Sequence, residues 1–143
     1  MSVAAITSAG TLAVIGRLQE WSEDNDDFAG DRALSDAVLM ECGWSRIHDD
    51  AFEGGEAWTL GTLSGVPRIT VAAAHRPHLI LSVEAALGQR PIGTSVRLMI
   101  EPNESLCWLD YPRGAGGMGF GRAPYPAVAV CIAVLRLKLA RAG

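Results

Sequence analysis

Residues 113–122 hold the densest potential for chemistry in the chain: Arg113, the run Gly114-Ala115-Gly116-Gly117-Met118-Gly119-Phe120-Gly121, then Arg122. Glycine-rich backbone exposes N–H groups, the flanking arginines add forked donors, and a helix N-terminus is predicted just beyond. These are the ingredients of an anion cradle, and the ligand-binding set read from them is Arg113, Gly116, Gly117, Gly119, Gly121 and Arg122. Two stricter nucleotide readings fail. The G-x-G-x-x-G of Gly114, Gly116 and Gly119 does not open a helix, because Pro124 and Pro126 intervene, and no acid follows Asp110 to hold a ribose. A phosphate loop starting at Gly116 fails because Arg122 and Ala123 stand where Lys and Ser or Thr are needed.

Other chemistry-bearing residues read as structural. His75 and His78 share an H-R-P-H segment whose proline keeps the chain extended, so the two rings point apart, and His48 beside Asp49 and Asp50 joins them only through the fold. The acidic run at 23–27 has Phe28 at the next calcium-ligand position and no closing Glu, which makes it a solvated linker. Cys42, Cys107 and Cys131 form no C-x-x-C pair, so neither a zinc cage nor a disulfide framework is legible, and all three read as packing residues in a reducing cytoplasm. No G-x-S-x-G elbow occurs. No catalytic residue, metal or cofactor is therefore assigned. The four tryptophans read as core anchors, with Trp58 and Trp108 also placed to offer a stacking face.

The elements that must position these groups come from a chain of 143 residues, 49% apolar and 20% charged, a globular balance for one domain. The net charge of −4 excludes a uniformly basic nucleic-acid binder. Residues 20–56 hold twelve acidic side chains against Arg32 and Arg46, whereas residues 57–143 hold nine basic against four acidic, so the halves have opposite signs and are expected to pack on one another. Nothing is long and apolar enough to span a membrane, and residues 3–16 lack the basic start of an export signal; a cytoplasmic protein is expected.

Leu12, Ile15, Leu18 and Trp21, at steps of three, predict a helix over 11–21. A second is predicted over 31–42, with Leu34, Val38 and Leu39 on one face and Gly43 as its stop. Residues 47–56 read as loop. Strands are predicted at 57–63 and 68–74 around a Ser64-Gly65-Val66-Pro67 turn, and at 95–100 and 106–111 as a hairpin through Pro102-Asn103-Glu104-Ser105. Between them Ser82 caps a short helix over 83–87 that Gly88 ends. The glycine-rich loop leads into a helix over 126–140, apolar all round through Leu135 and so destined for the core.

Three stretches, D-R-A-L-S-D-A-V-L-M-E-C-G-W at 31–44, L-S-V-E-A-A-L at 81–87 and A-P-Y-P-A-V-A-V-C-I-A-V-L-R at 123–136, carry a resemblance to the phage ABA sandwich domain family of small phage and prophage proteins. The resemblance covers about residues 31–141 and departs in the first thirty residues and at 89–93. It implies an α+β fold, a three-layer α/β/α sandwich with a small, mainly antiparallel sheet flanked by helices and an apolar C-terminal helix in the core. Residues 1–29 then form an N-terminal helical and linker extension, and 30–143 the single domain. The functional expectation is a non-enzymatic accessory protein in host cytoplasm that binds a host protein or a small anionic, nucleotide-like ligand to blunt a host defence. The alternatives are nucleic-acid binding through Arg68, Arg76, Arg97, Arg113 and Arg122, or a structural homo-oligomer.

Overall fold

A helix that is apolar on every side must be surrounded by protein. In the computed structural model, which describes residues 3–21, 28–63, 66–91, 93–110 and 118–142, every residue from Ala127 to Leu135 is buried within α4 (Pro126–Ala142). Each fully buried Val, Ile or Leu contributes about 1.5–3 kcal/mol, so α4 dominates the apolar burial. The observed class is α+β, with α4 at the centre.

Two antiparallel sheets share the strands. β1 (Trp44–His48), β2 (Glu56–Leu63) and β3 (Val66–Ala72) form the first in that order, and β4 (Ser95–Glu101), β5 (Glu104–Asp110) and β6 (Met118–Ala123) the second. α4 lies along the inner face of the second sheet, chiefly on β6 and β5, and on its other side meets α1 (Val3–Glu20) and α3 (Val83–Leu87). α2 (Phe28–Glu41) packs on α1 and β1. The β-structure is thus divided in two.

Several local expectations hold. α2 buries Leu34, Val38 and Leu39 and stops at Gly43, whose φ of 101° favours glycine. Ser82 Oγ accepts from the Ala85 amide at 3.1 Å to cap α3. The hairpin is tighter than expected, turning through Pro102 and Asn103 alone with Glu101 opposite Glu104.

Other readings need correction. In α1 the buried stripe is Thr11, Val14, Ile15 and Leu18, whereas Leu12 is 59% exposed. Steps of three fall short of 3.6 residues per turn, so a stripe at 12, 15, 18 and 21 drifts around the helix. The same core contains Val14, Ile15 and Leu18 with α4, so α1 is a layer of the fold and not an appendage to it. Residues 44–48, partly read as loop, form β1, and 118–123, read as the end of a glycine loop, form β6. The turn residues Ser64 and Gly65 and the linker 22–27 lie outside the described residues. Among the described residues no helix is long and apolar enough to cross a membrane.

Candidate interaction face

Of the expected cradle, the described residues 118–122 belong to a strand and not to a loop. Gly119 and Gly121 lie in β6 on the side facing α4, with Ala123 two residues on. A Cβ on Gly121 would overlap the Ala129 carbonyl oxygen and stand 2.7 Å from the Ala133 nitrogen; one on Gly119 would overlap the Ala133 carbonyl oxygen and stand 2.8 Å from Leu137. Their lack of a side chain lets the helix approach the strand. Their amides are taken up too. The two-residue turn makes Glu101 and Glu104 a hydrogen-bonded pair, and alternation across β5 then makes Leu109–Gly119 and Cys107–Gly121 hydrogen-bonded pairs. Arg122, on the opposite face of β6, is ion-paired with Glu104. An anion at Arg122 would meet the Glu104 carboxylate beside it. Arg113, Gly116 and Gly117 lie outside the described residues.

What β6 does build is the outer face of the second sheet. Alternation turns Cys107, Leu109, Gly119 and Gly121 inward, and Leu106, Trp108, Phe120 and Met118 outward. Across the three strands Arg97, Trp108 and Phe120 form one row: the guanidinium of Arg97 sits 5.1 Å from the Trp108 ring centroid, and the Trp108 and Phe120 rings are 5.4 Å apart at 44°. Beside it run Met99, Leu106 and Arg122 on one side, and Ser95, Asp110 and Met118 on the other. Met99 is 38% and Met118 57% exposed, while the two rings are half-buried. Ser95, Val96, Arg97, Trp108, Asp110 and Met118 line a shallow cavity of about 260 Å³ there. The face mixes Arg97 and Arg122 with Glu101, Glu104 and Asp110, so it is aromatic and charge-balanced rather than basic.

A polar cluster joins α2 to the segment after β3. Asp36 accepts a fork from Arg76 at 2.7 and 3.1 Å, and Arg32 donates to the carbonyl oxygens of Arg76 and Pro77 at 2.7 and 3.2 Å. Ser35 Oγ lies 2.7 Å from His78 Nδ1 and accepts from the Ile80 amide at 3.1 Å. This Ser–His contact is not a nucleophile and its base, because Ser35 is completely buried and no substrate reaches its oxygen. Burial first, and then Arg32, holds His78 below its ordinary pKa, which favours the neutral ring beside the serine hydroxyl.

Arg76, expected among nucleic-acid contacts, is thereby committed, and with Arg46 it also stacks on Trp58, a ring only 2% exposed. Arg68 lies in β3. Trp108, not Trp58, is the tryptophan at the surface. Burial pushes the Cys42 and Cys107 thiols up to about 11 and raises Cys131 as well, leaving all three protonated and poorly nucleophilic. Among the described residues no three His, Cys, Asp or Glu side chains gather to hold a metal ion.

The outer face is legible in part from sequence: Trp108 offers a stacking surface, but the glycines at 119 and 121 give Met118, Phe120 and Arg122 the look of a loop. The signal was the strict alternation in M-G-F-G-R-A, small residues at 119, 121 and 123 and large ones between. No family model, curated protein or solved structure matches the chain.

Proposed function

We propose that this chain is a non-enzymatic binding protein that seats a protein partner on the outer face of its second sheet. The observation that carries the reading is the outward-facing row of Arg97, Trp108 and Phe120, its rings half-buried, flanked by the exposed Met99 and Met118. Trp, Phe, Met and Arg are the residues enriched at protein interfaces, and a few such anchors supply most binding energy. Two arginines against three carboxylates on this face give little attraction for a polyanion, so a protein is favoured over nucleic acid or a free nucleotide. Binding without catalysis accords with the phage accessory role that the resemblance implies, in which the partner is a protein of the host cell.

The test is site-specific photocrosslinking in cells. A photoreactive residue at Met118 is expected to capture one discrete protein, and the same residue at Ile69 of the first sheet is not. Trp108→Ala with Phe120→Ala should abolish capture while the protein still melts cooperatively. Capture that survives the double variant would reject this face. Salt-sensitive oligonucleotide binding lost in Arg97→Ala with Arg122→Ala would replace the protein partner by nucleic acid.

A further inference from the structure

The two edges of the second sheet differ. At β6 the groups facing away from β5 belong to Phe120 and Arg122, and Arg136 of α4 donates from Nη1 to the Phe120 carbonyl oxygen at 3.0 Å. A side chain thus occupies one of the groups a further strand would need. Among the described residues nothing covers β4 in this way: six of its seven residues are exposed and Leu98 is half-buried. With Glu101 and Glu104 as the hydrogen-bonded closing pair, Val96, Leu98 and Ile100 turn their amides and carbonyls to the open edge. The side chains of Val96 and Ile100 share the inner face with Cys107 and Leu109 but remain 39% and 63% exposed, so this apolar rim extends past α4.

We infer that β4 is the seam of a symmetric homodimer in which β4 of a second copy adds antiparallel, with Met99 on the twofold axis. The strand's own sequence selects both occupant and register. Centred on Met99, the pairing sets Arg97 opposite Glu101 of the partner copy and Glu101 opposite its Arg97, two opposite-charge pairs on the outer face. On the inner face Leu98 meets Ile100 twice, joining the exposed apolar rims of the two copies. The hydrogen-bonded pairs are then Leu98 with Ile100, the residues whose backbone faces outward, and Met99 faces Met99 as a non-hydrogen-bonded pair. Centring on Arg97 opposes two arginines, and centring on Leu98 or Ile100 leaves both charges without a partner of opposite sign. A twofold axis normal to the sheet keeps both α4 helices on one side and forms a continuous six-stranded sheet. Trp108, Phe120 and Met118 lie on β5 and β6, away from the seam, so the dimer leaves that part of the aromatic face open, while Arg97 and Met99 belong to both.

Three arms test it on the full chain. Light scattering with native mass spectrometry is expected to show a concentration-dependent dimer; a monomer at every concentration overturns the inference. Arg97→Glu and Glu101→Arg each set like charges opposite one another and should raise the dimer Kd about tenfold or more, whereas mixing the two variants should restore association as a heterodimer. Variants that dimerise as well alone as together reject the register. Finally, Met99→Cys should oxidise to an intermolecular disulfide, since identical residues on the axis of a non-hydrogen-bonded pair stand about 4.5 Å apart at Cα. Arg97→Cys and Glu101→Cys should not do so alone. Equal linkage at all three positions, or linkage in the wild type with its three native thiols, overturns the proposal. Each variant's thermal melt separates lost pairing from lost folding.

Discussion

His78 shows how one ring in a polar cluster ties a segment to a helix. Its Nδ1 is hydrogen-bonded to Ser35 Oγ, which also accepts from the Ile80 amide, so α2 and residues 78–80 are joined through two hydrogen bonds. The ring faces Arg32 and Arg76, which oppose its protonation, and Asp31 and Asp36, which favour it; burial is the largest influence and lowers its pKa. The unfolded chain therefore takes up a proton at this ring at higher pH than the folded chain does. Stability from the neutral ring is fully present above the ordinary value of about 6.5, declines as pH falls through that value toward the lower folded one, and then levels off. Urea unfolding between pH 7.5 and 5 should show this decline in wild type and a flatter profile in His78→Gln. Identical slopes would mean that the ring titrates alike in both states. Nothing in H-R-P-H announced this partner, because Ser35 is 43 residues away and meets His78 only through the packing of α2.

Elements were legible where their pattern is local. α2, α3 and α4 follow from caps, stops and apolar faces within a dozen or so residues, and the hairpin from two apolar runs around Pro102-Asn103. β1 and β6 were not, because their reasons lie elsewhere in the chain. β1 carries Ser45, Arg46 and His48 and is held by pairing with β2. The glycines of β6 look like loop residues until α4 is laid against them, when their missing side chains become the condition for close helix-on-strand packing. The cradle reading took conformational freedom as the reason for glycine, where close approach is the reason. It follows that Gly121→Ala should be far costlier than an alanine in a loop. The added methyl overlaps helix backbone rather than a pliable side chain, so α4 must shift, at about 3 kcal/mol or more. Denaturant titration should show that loss in midpoint with a nearly unchanged slope. A loss under about 0.5 kcal/mol, typical of a harmless surface change, would mean that strand and helix separate freely there.

At the scale of the whole molecule, the opposed charges of the two halves are partly consumed inside the fold. Asp36 from the acidic half holds Arg76 from the basic half, and Lys138 near the end of α4 donates to the Glu41 carbonyl oxygen at the end of α2 at 2.5 Å. The N-terminal helix is bound into the same assembly. Thr11 Oγ1 donates to Glu41 at 2.7 Å, Trp21 Nε1 donates to Asp31 at 2.6 Å, and the Trp21 ring stands edge-on to Tyr125 at 4.8 Å. Val14, Ile15 and Leu18 lie in the core cluster with α4. At about 1.5–3 kcal/mol for each such side chain, their burial is comparable to the 5–15 kcal/mol that separates a folded domain from its unfolded chain. Removing residues 1–21 would also uncover the flank of α4 on which they pack, and an apolar helix exposed along one side invites association. A chain beginning at Phe28 is therefore expected to lose its cooperative thermal transition and to bind a hydrophobic dye already at room temperature, whereas an N-terminal extension outside the fold would leave both unchanged. A truncated chain that melts within a few degrees of the full one would return α1 to the status of an appendage and leave α4 to be covered by α3 and the second sheet alone.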